Sequence, residues 1–453
     1  MRRAVALIDG EHYPPVVRFA LAELGRDYDV VAAAFLGGTE KIDADGARSV
    51  YGVPLVTGPT AEQTLRTALA HHAPDVVVDL SDEPVLSSAM RFSLASIALE
   101  FGAGYRGADF AFEPPGAAAG GPIATPSTPV LAIVGTGKRV GKTAVSAEIA
   151  RRLAWAGRDI VVLAMGRGGP AEPELIRGDE VALTTADLLA LAALGKHAAS
   201  DNYEDAVMSR VTTVGCRRCG GGLAGATFVS NVAEGAALAD SLGKELLVTE
   251  GSGAAVPPVA FDAAVLVVGA GRGVGYVRDY FGPYRLSQAD LVVLAAGEPP
   301  TASAADVAEI RTAIAGLRPE LPVVVTGFRP RPIEPVSGRR VFFATTAPAA
   351  VVPALAEHLE AEYGCEVVAA SAHLSDRARL REDMAARAGT YDLLLTELKA
   401  AAIDVVAAAG AEAGVHTVLC DNVPVALDGS DLGQHIAAVA ELAIARGSAR
   451  RRV

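Results

Sequence analysis

A mainly parallel α/β fold, with a smaller α/β unit leading a larger one, is what the sequence predicts. Short apolar β-rich runs alternate with alanine-rich helical stretches along nearly the whole chain, the rhythm of strand–helix–strand units. That rhythm is broken once, by the run PPGAAAGGPIATPSTP at 114–129. A glycine-bearing loop between a strand and a helix follows directly. At 453 residues the chain is about three times the ~150 of an average domain, so two or three folding units are expected.

In the leading unit the spacing predicts strands at Ala4–Asp9, Asp29–Leu36 and Asp75–Leu80, and helices at Pro14–Leu24, Ala61–His72 and Pro84–Phe101. Thr60 with Gln63 three residues on forms a capping box for the second helix. Gly102–Pro129 is too rich in Pro and Gly for a helix or a ladder, and places the boundary between domains 1–127 and 128–453. Beyond it, strands are expected at Val130–Val134, Ile160–Met165, Ala226–Ser230, Glu245–Thr249, Ala263–Val268, Leu291–Ala295, Pro322–Thr326, Val341–Thr345, Cys365–Ala370, Asp392–Leu395 and Thr417–Cys420. A helix fits Lys142–Ala156, and the arginine tail 449–452 reads as frayed. A split of the larger unit near 335 stays open.

Composition excludes several classes. Hydrophobic residues are 51% and charged residues 21%, a globular balance. The longest uncharged apolar runs, such as Ala263–Ala270, fall far short of the ~20 residues of a membrane span. The start MRRAVALIDGEHYPP is too short for a secretory signal, so a cytoplasmic protein is expected. A formal charge of −13 argues against nucleic-acid or membrane surfaces. Four cysteines make no disulfide framework. Cys216-Arg-Arg-Cys219 reads as two thiols in a tight loop, with a labile disulfide or a metal as alternatives.

The segment VLAIVGTGKRVGKTAVSAEIA, Val130–Ala150, carries the chemistry. Strand, loop and helix follow in the order a phosphate site needs: glycines let successive N–H groups point inward, and the helix start adds free donors. The nucleotide-binding residues are Gly135, Thr136, Gly137, Lys138, Arg139, Val140, Gly141, Lys142, Thr143 and Ala144. Lys142 suits the β- and γ-phosphates of ATP, and the Thr143 hydroxyl suits Mg²⁺. Five residues separate Gly135 from Gly141, so the loop resembles the G-T-x-x-x-V-G-K-[ST] variant of dethiobiotin synthetases. It marks the larger unit as a P-loop NTPase core. Glu250, ending a strand in ELLVTEGSG, resembles the strand-end glutamate of the same group and is the second candidate for Mg²⁺. Arg167 follows the next strand on the same sheet edge. Lys138 and Arg139 inside the loop are cations that need arriving anions, and join Lys142 and Glu250 as catalytic candidates.

Taken with Leu7–Val16 (LIDGEHYPPV) and the lead unit, these motifs make the chain similar to the cyclic 2,3-diphosphoglycerate synthetase family over most of its length. The resemblance implies an ATP- and Mg²⁺-dependent ligase that closes an intramolecular phosphoanhydride in 2,3-diphosphoglycerate, and a homodimer. Two polyanions must then meet: one unit-charge pair at ~4 Å repels by about 4 kcal/mol at an effective dielectric of 20. Cations have to offset this. Candidates for the substrate are Arg167, Arg217, Arg218 and Arg272, with Arg278 similarly placed. Arg217 and Arg218, followed by Gly220–Gly222, are expected on a mobile loop over the substrate. Asp9, Glu11 and His12 follow the first strand: the carboxylates bind metal, orient His12 or cap a helix, and His12 donates to phosphate. Thr396–Lys399 and Asp421–Pro424 read as solvated strand ends, with substrate- or base-side loops as the alternative. Two other readings keep the loop: a carboxylate-activating ligase, and a nucleotide switch binding a protein partner. The second lacks an N-K-x-D motif.

Overall fold

The computed structural model describes residues 1–37, 50–82, 85–114, 124–251 and 253–451. Its first six strands form their own sheet: β1 (Arg2–Ile8), β2 (Tyr28–Phe35), β3 (Leu55–Val56), β4 (Val76–Asp79), β5 (Gly104–Arg106) and β6 (Ala111–Phe112). The order is β3-β2-β1-β4-β5-β6, parallel except for the last pair. β1 is wholly buried from Ala4 onward, as a strand covered on both faces must be. The helices Pro14–Leu24 and Ala61–His72 lie where their periodicity puts them, and the Thr60 hydroxyl accepts from the Gln63 amide at 3.2 Å. The third helix is Ser88–Glu100, capped by Ser87; Pro84 lies outside the described residues. β5 and β6 occupy part of the stretch expected to hold no ladder. The Pro/Gly-rich residues 115–123 lie outside the described residues.

The other strands build one sheet: β7 (Val130–Gly135), β8 (Ile160–Gly166), β9 (Glu174–Arg177), β10 (Thr212–Gly221), β11 (Thr227–Ser230), β12 (Leu246–Gly251), β13 (Ala263–Gly269), β14 (Leu291–Ala295), β15 (Val323–Pro332), β16 (Arg340–Ala344), β17 (Glu366–Ser371), β18 (Leu393–Glu397) and β19 (His416–Ala426). Their order is β11-β10-β8-β12-β7-β13-β14-β15-β19-β18-β16-β17, with β9 also on β10. The long antiparallel pair β15–β19 carries the sheet without a break into the C-terminal strands. Val, Ile, Leu and Ala dominate the central strands β7, β8, β12 and β13, all buried, the composition of a parallel sheet covered on both faces, with Thr249 and Glu250 of β12 the polar exceptions.

The two sheets meet through aromatic and polar contacts. Phe92 of the third helix packs edge-on against Phe281 with ring centroids 5.8 Å apart, and the Tyr284 amide donates to Ser96 Oγ at 3.0 Å.

Two further expectations fail. Residues 212–221 are not a loop: they form β10, and side chains alternate across it, with Cys216 and Arg218 buried and Arg217 and Cys219 exposed. Cys216 and Cys219 therefore point to opposite faces and both are free thiols. Nor does the tail fray at 449. The last helix runs Leu432–Arg450, and Arg450 forks onto Asp262 at 3.0 Å.

Candidate active site

β7 ends in the glycine loop and the helix Lys142–Trp155 starts at its far side. Left-handed residues make the turn: Arg139 at φ 59° and Gly141 at φ 89°. Gly141 is doubly constrained, since a β-carbon there would lie 2.2 Å from the Phe328 ring. A β-carbon on Gly135 would lie 2.4 Å from Lys142 Cδ. The lysine stem thus folds back across the loop, and its ammonium stands 3.5 Å from the Gly137 carbonyl. Lys142 is 6% exposed, whereas Lys138 and Arg139 project into solvent. Thr143, half-buried, opens the helix. Arg272 donates to the Lys138 carbonyl at 2.8 Å, tying the turn after β13 to the loop.

β12 runs beside β7 with Glu250 opposite Ile133, so the carboxylate sits at the same sheet edge as the loop. It is completely buried, and neither oxygen has a hydrogen-bond partner. Burial pushes its carboxyl up to about 8, and nearby Asp201 adds to this while Lys142 opposes it. Lys142 is pushed the other way, down to about 8, by burial, against the attraction of Glu250 and Asp201.

The helix Asp201–Ser209 brings three more acids to this edge. Asp201 lies over the end of β8, its Oδ2 3.1 Å from where a Gly166 β-carbon would stand. Asp205 is completely buried with both oxygens unpartnered, like Glu250, and burial together with Glu250 holds its carboxyl well above the usual range. Glu204 is pushed up to about 8 by burial, although Lys399 draws it back through an ion pair at 3.1 Å. Lys399 and Glu397 were expected to be solvated strand ends. They are not: Glu397 is buried, accepting from Thr346 Oγ1 at 2.6 Å and Asn422 Nδ2 at 2.9 Å. None of the three helix acids belongs to a recognisable sequence motif. Their i, i+3, i+4 spacing, which puts them on one helix face, is the signal that finds them.

Arginines close the other side. A β-carbon on Gly253, a residue at φ 71°, would lie 2.9 Å from Arg167 Nη2 and 3.2 Å from Arg218 Nη2. Both guanidinium groups therefore converge over the turn after Glu250. Arg217 does not join them: its Nε donates to the Pro170 carbonyl at 2.8 Å and the Gly169 carbonyl at 3.2 Å.

In the N-terminal unit Asp9 organises its own loop. It is completely buried and accepts from the amides of Glu11 (3.0 Å), His12 (3.2 Å) and Asp82 (2.8 Å) and from His12 Nδ1 at 2.8 Å. Burial alone would raise its carboxyl, but the Asp82 amide and His12 hold it below the usual range. The His12 ring bridges to Asp82 through Nε2 at 3.3 Å.

Four carboxylate oxygens with no donor, two each on Glu250 and Asp205, suit a divalent cation rather than a hydrogen-bond network. Among the described residues no three His, Cys, Asp or Glu side chains form a cage. The donor sets of Glu250 and Asp205 are the ones at this edge that fit such an ion.

The comparisons agree along the whole chain. Three family models match: the N-terminal domain of cyclic 2,3-diphosphoglycerate synthetase at residues 3–113, its P-loop domain at 130–327 and its C-terminal domain at 332–423. The cyclic 2,3-diphosphoglycerate synthetase of Rubrobacter xylanophilus is 50% identical over 94% of this chain and 96% of its own length. That of Methanothermus fervidus is 44% identical over 98% of each. Among solved structures, LpxK from Aquifex aeolicus in complex with ATP covers 70% of this chain and 90% of its own at 14% identity, with a TM-score of 0.42. The P-loop domain makes the phosphate-loop edge a nucleotide-binding one. With three domain models in register and close relatives over full length, the chain belongs to the cyclic 2,3-diphosphoglycerate synthetase family.

Proposed function

We propose that the chain uses ATP to convert 2,3-diphosphoglycerate into its cyclic phosphoanhydride, releasing ADP and phosphate. The observation that carries the reading is the single cationic wall, Lys142, Arg167 and Arg218, facing the buried Glu250 in a chain of this family. One substrate phosphate takes the γ-phosphoryl group from ATP. An oxygen of the second phosphate then attacks the inner phosphorus of the new diphosphate, and orthophosphate leaves. Lys142 holds the β- and γ-phosphates, and Arg167 and Arg218 hold the substrate phosphates side by side. Arg272 braces the loop, and Lys138 and Arg139 cover the phosphates from the solvent side. Thr143 and Glu250 would hold Mg²⁺, which would supply neutralisation of the phosphate charge.

The unit 1–127, with Asp9, Glu11 and His12 on its loop, serves as the substrate-side domain closing on the core 128–453. Arg217 belongs to the framework that orients Arg218. The carboxylate-activating and switch readings lack an observation in their favour. No helix among the described residues is long and apolar enough to cross a membrane. We place the enzyme in the cytoplasm, as a homodimer.

Phosphorus NMR of the protein with ATP, Mg²⁺ and 2,3-diphosphoglycerate tests the reading. A new phosphoanhydride resonance and ADP release that depends on 2,3-diphosphoglycerate are expected. ATP hydrolysis at the same rate without that compound would defeat it.

A further inference from the structure

The helix Lys142–Trp155 leaves the phosphate loop and ends about 20 Å away, at 1.5 Å per residue, on the wall of a second cavity. This cavity has a volume of about 560 Å³, the size of small-molecule sites. It lies where the ends of two helices, Lys142–Trp155 and Asp201–Ser209, meet the C-terminal half of β15 and the start of the helix Thr185–Ala193. Nothing in the proposed reaction uses it.

Its lining is cationic. Arg151, Arg210 and Arg331 face it against one carboxylate, Glu334, which is already paired with His416 at 2.9 Å. Asp421 stands behind the wall and holds Arg151 at 2.6 Å and Arg331 at 3.0 Å, fixing both guanidinium groups in place. Arg151 is 3% exposed, and Glu148 takes its Nη2 while Asp421 and the Met208 carbonyl take its Nη1, so its charge is met within the wall. Trp155 is 70% exposed, with the guanidinium carbons of Arg151 and Arg331 at 5.7 and 6.0 Å from its ring. Cation–π attraction to the two guanidinium groups holds the ring in place while it stays open to solvent. Arg210 holds a left-handed backbone, φ 55°, where glycine would be unstrained.

We infer that this cavity is a second binding site, separate from the phosphate loop, for a small phosphorylated anion. Phosphate oxygens accept from Arg210 and Arg331, whose planar forks match them, with Arg151 bracing the wall behind, and the body of the ligand lies on Trp155. The volume admits a phosphorylated sugar acid or a nucleoside monophosphate, and the indole face distinguishes them, since only the latter brings a base to stack.

Trp155 is the only tryptophan in the chain, so its fluorescence reports this cavity directly. The full-length protein is titrated with orthophosphate, 2-phosphoglycerate and AMP, and the titrations are repeated with Arg210→Gly and Lys142→Ala. A saturable change in emission is expected, with Kd raised roughly tenfold or more in Arg210→Gly and unchanged in Lys142→Ala. Glycine suits the left-handed backbone at 210, so that variant keeps its fold; matched circular dichroism and melting verify it. AMP binding tighter than 2-phosphoglycerate assigns the site to nucleotides, and the reverse order assigns it to sugar phosphates. No saturable change up to about 10 mM of any probe overturns the inference. So does a change that vanishes in Lys142→Ala and survives in Arg210→Gly, because it would then report the phosphate loop.

Discussion

Lys399 reaches from the end of β18 to donate to Glu204 at 3.1 Å, joining the C-terminal strands to the helix that carries Asp201 and Asp205. Burial alone would lower the Lys399 ammonium, but Glu204 and Glu397 outweigh it and hold it above the usual lysine range. The pair is thus a bridge between a held ammonium and a raised carboxyl at the rim of a buried acidic group. Lys399→Met leaves Glu204 without its cation, and burial then raises its carboxyl further. We expect kcat to fall roughly tenfold or more while the melting curve stays cooperative. Lys399→Arg, keeping the charge, should recover part of the loss. An unchanged kcat in Lys399→Met would separate the C-terminal strands from the site.

Strand alternation makes a sharper prediction at two adjacent arginines. Arg218 turns toward Gly253 and Arg167, and Arg217 toward the carbonyls of Gly169 and Pro170. One charge-assisted contact to phosphate contributes about 1.5–3 kcal/mol, or roughly 10- to 150-fold. Arg218→Ala should lower kcat/KM for the phosphorylated substrate by that factor, and Arg217→Ala by less than about threefold. Steady-state kinetics on the two variants decides; equal losses would mean that β10 does not aim these side chains.

How far the sequence foretells such details depends on how local their causes are. The phosphate loop is legible because its turn needs glycine at 141 and a lysine one residue later, constraints written in consecutive residues. Glu250 is legible for the same reason, as a strand end followed by glycines. β10 is hidden because Gly215, two arginines and three later glycines break the apolar alternation, while its pairing is supplied by β8, about 50 residues earlier. β15 is read short because Pro330 and Pro332 look like a stop, yet both tolerate an antiparallel partner in β19. Lys399 meets Glu204 only because β18 joins the sheet some 200 residues after that helix, which no local pattern records.

The folded-back stem of Lys142 makes the phosphate-loop test clean. Its ammonium lies against the Gly137 carbonyl within the loop, and among the described residues no long-range hydrogen bond depends on it. Lys142→Ala should reduce turnover by about 10³-fold or more with circular dichroism and melting temperature close to wild type. Gly141→Ala should differ: its positive φ and the Phe328 ring 2.2 Å away predict lost stability as well as lost turnover. A fully active Lys142→Ala would remove the loop from the reaction.

Glu250 sets how the ligand-free protein responds to pH. Its folded value of about 8 stands above the ordinary 4.5, so the folded chain keeps a proton that the unfolded chain gives up between those limits. Its stabilising contribution is present in full below pH 4.5 and is lost as pH rises through about 8. Glu204 and Asp205 are raised too and act in the same direction. Lys142, lowered to about 8 from 10.5, gives up its charge at the top of that window and acts in the opposite sense between there and 10.5. Glu250→Gln stays neutral throughout, so without ligand it should melt higher than wild type at pH 8, by roughly 1–3 °C, and alike at pH 5. ATP with Mg²⁺ should reverse the order, because a neutral amide gives the cation and phosphates less to bind than a carboxylate does. Calorimetric melting at both pH values, with and without ligand, measures this. Identical melting of both proteins at pH 8 without ligand would show that Glu250 is not held in its protonated form.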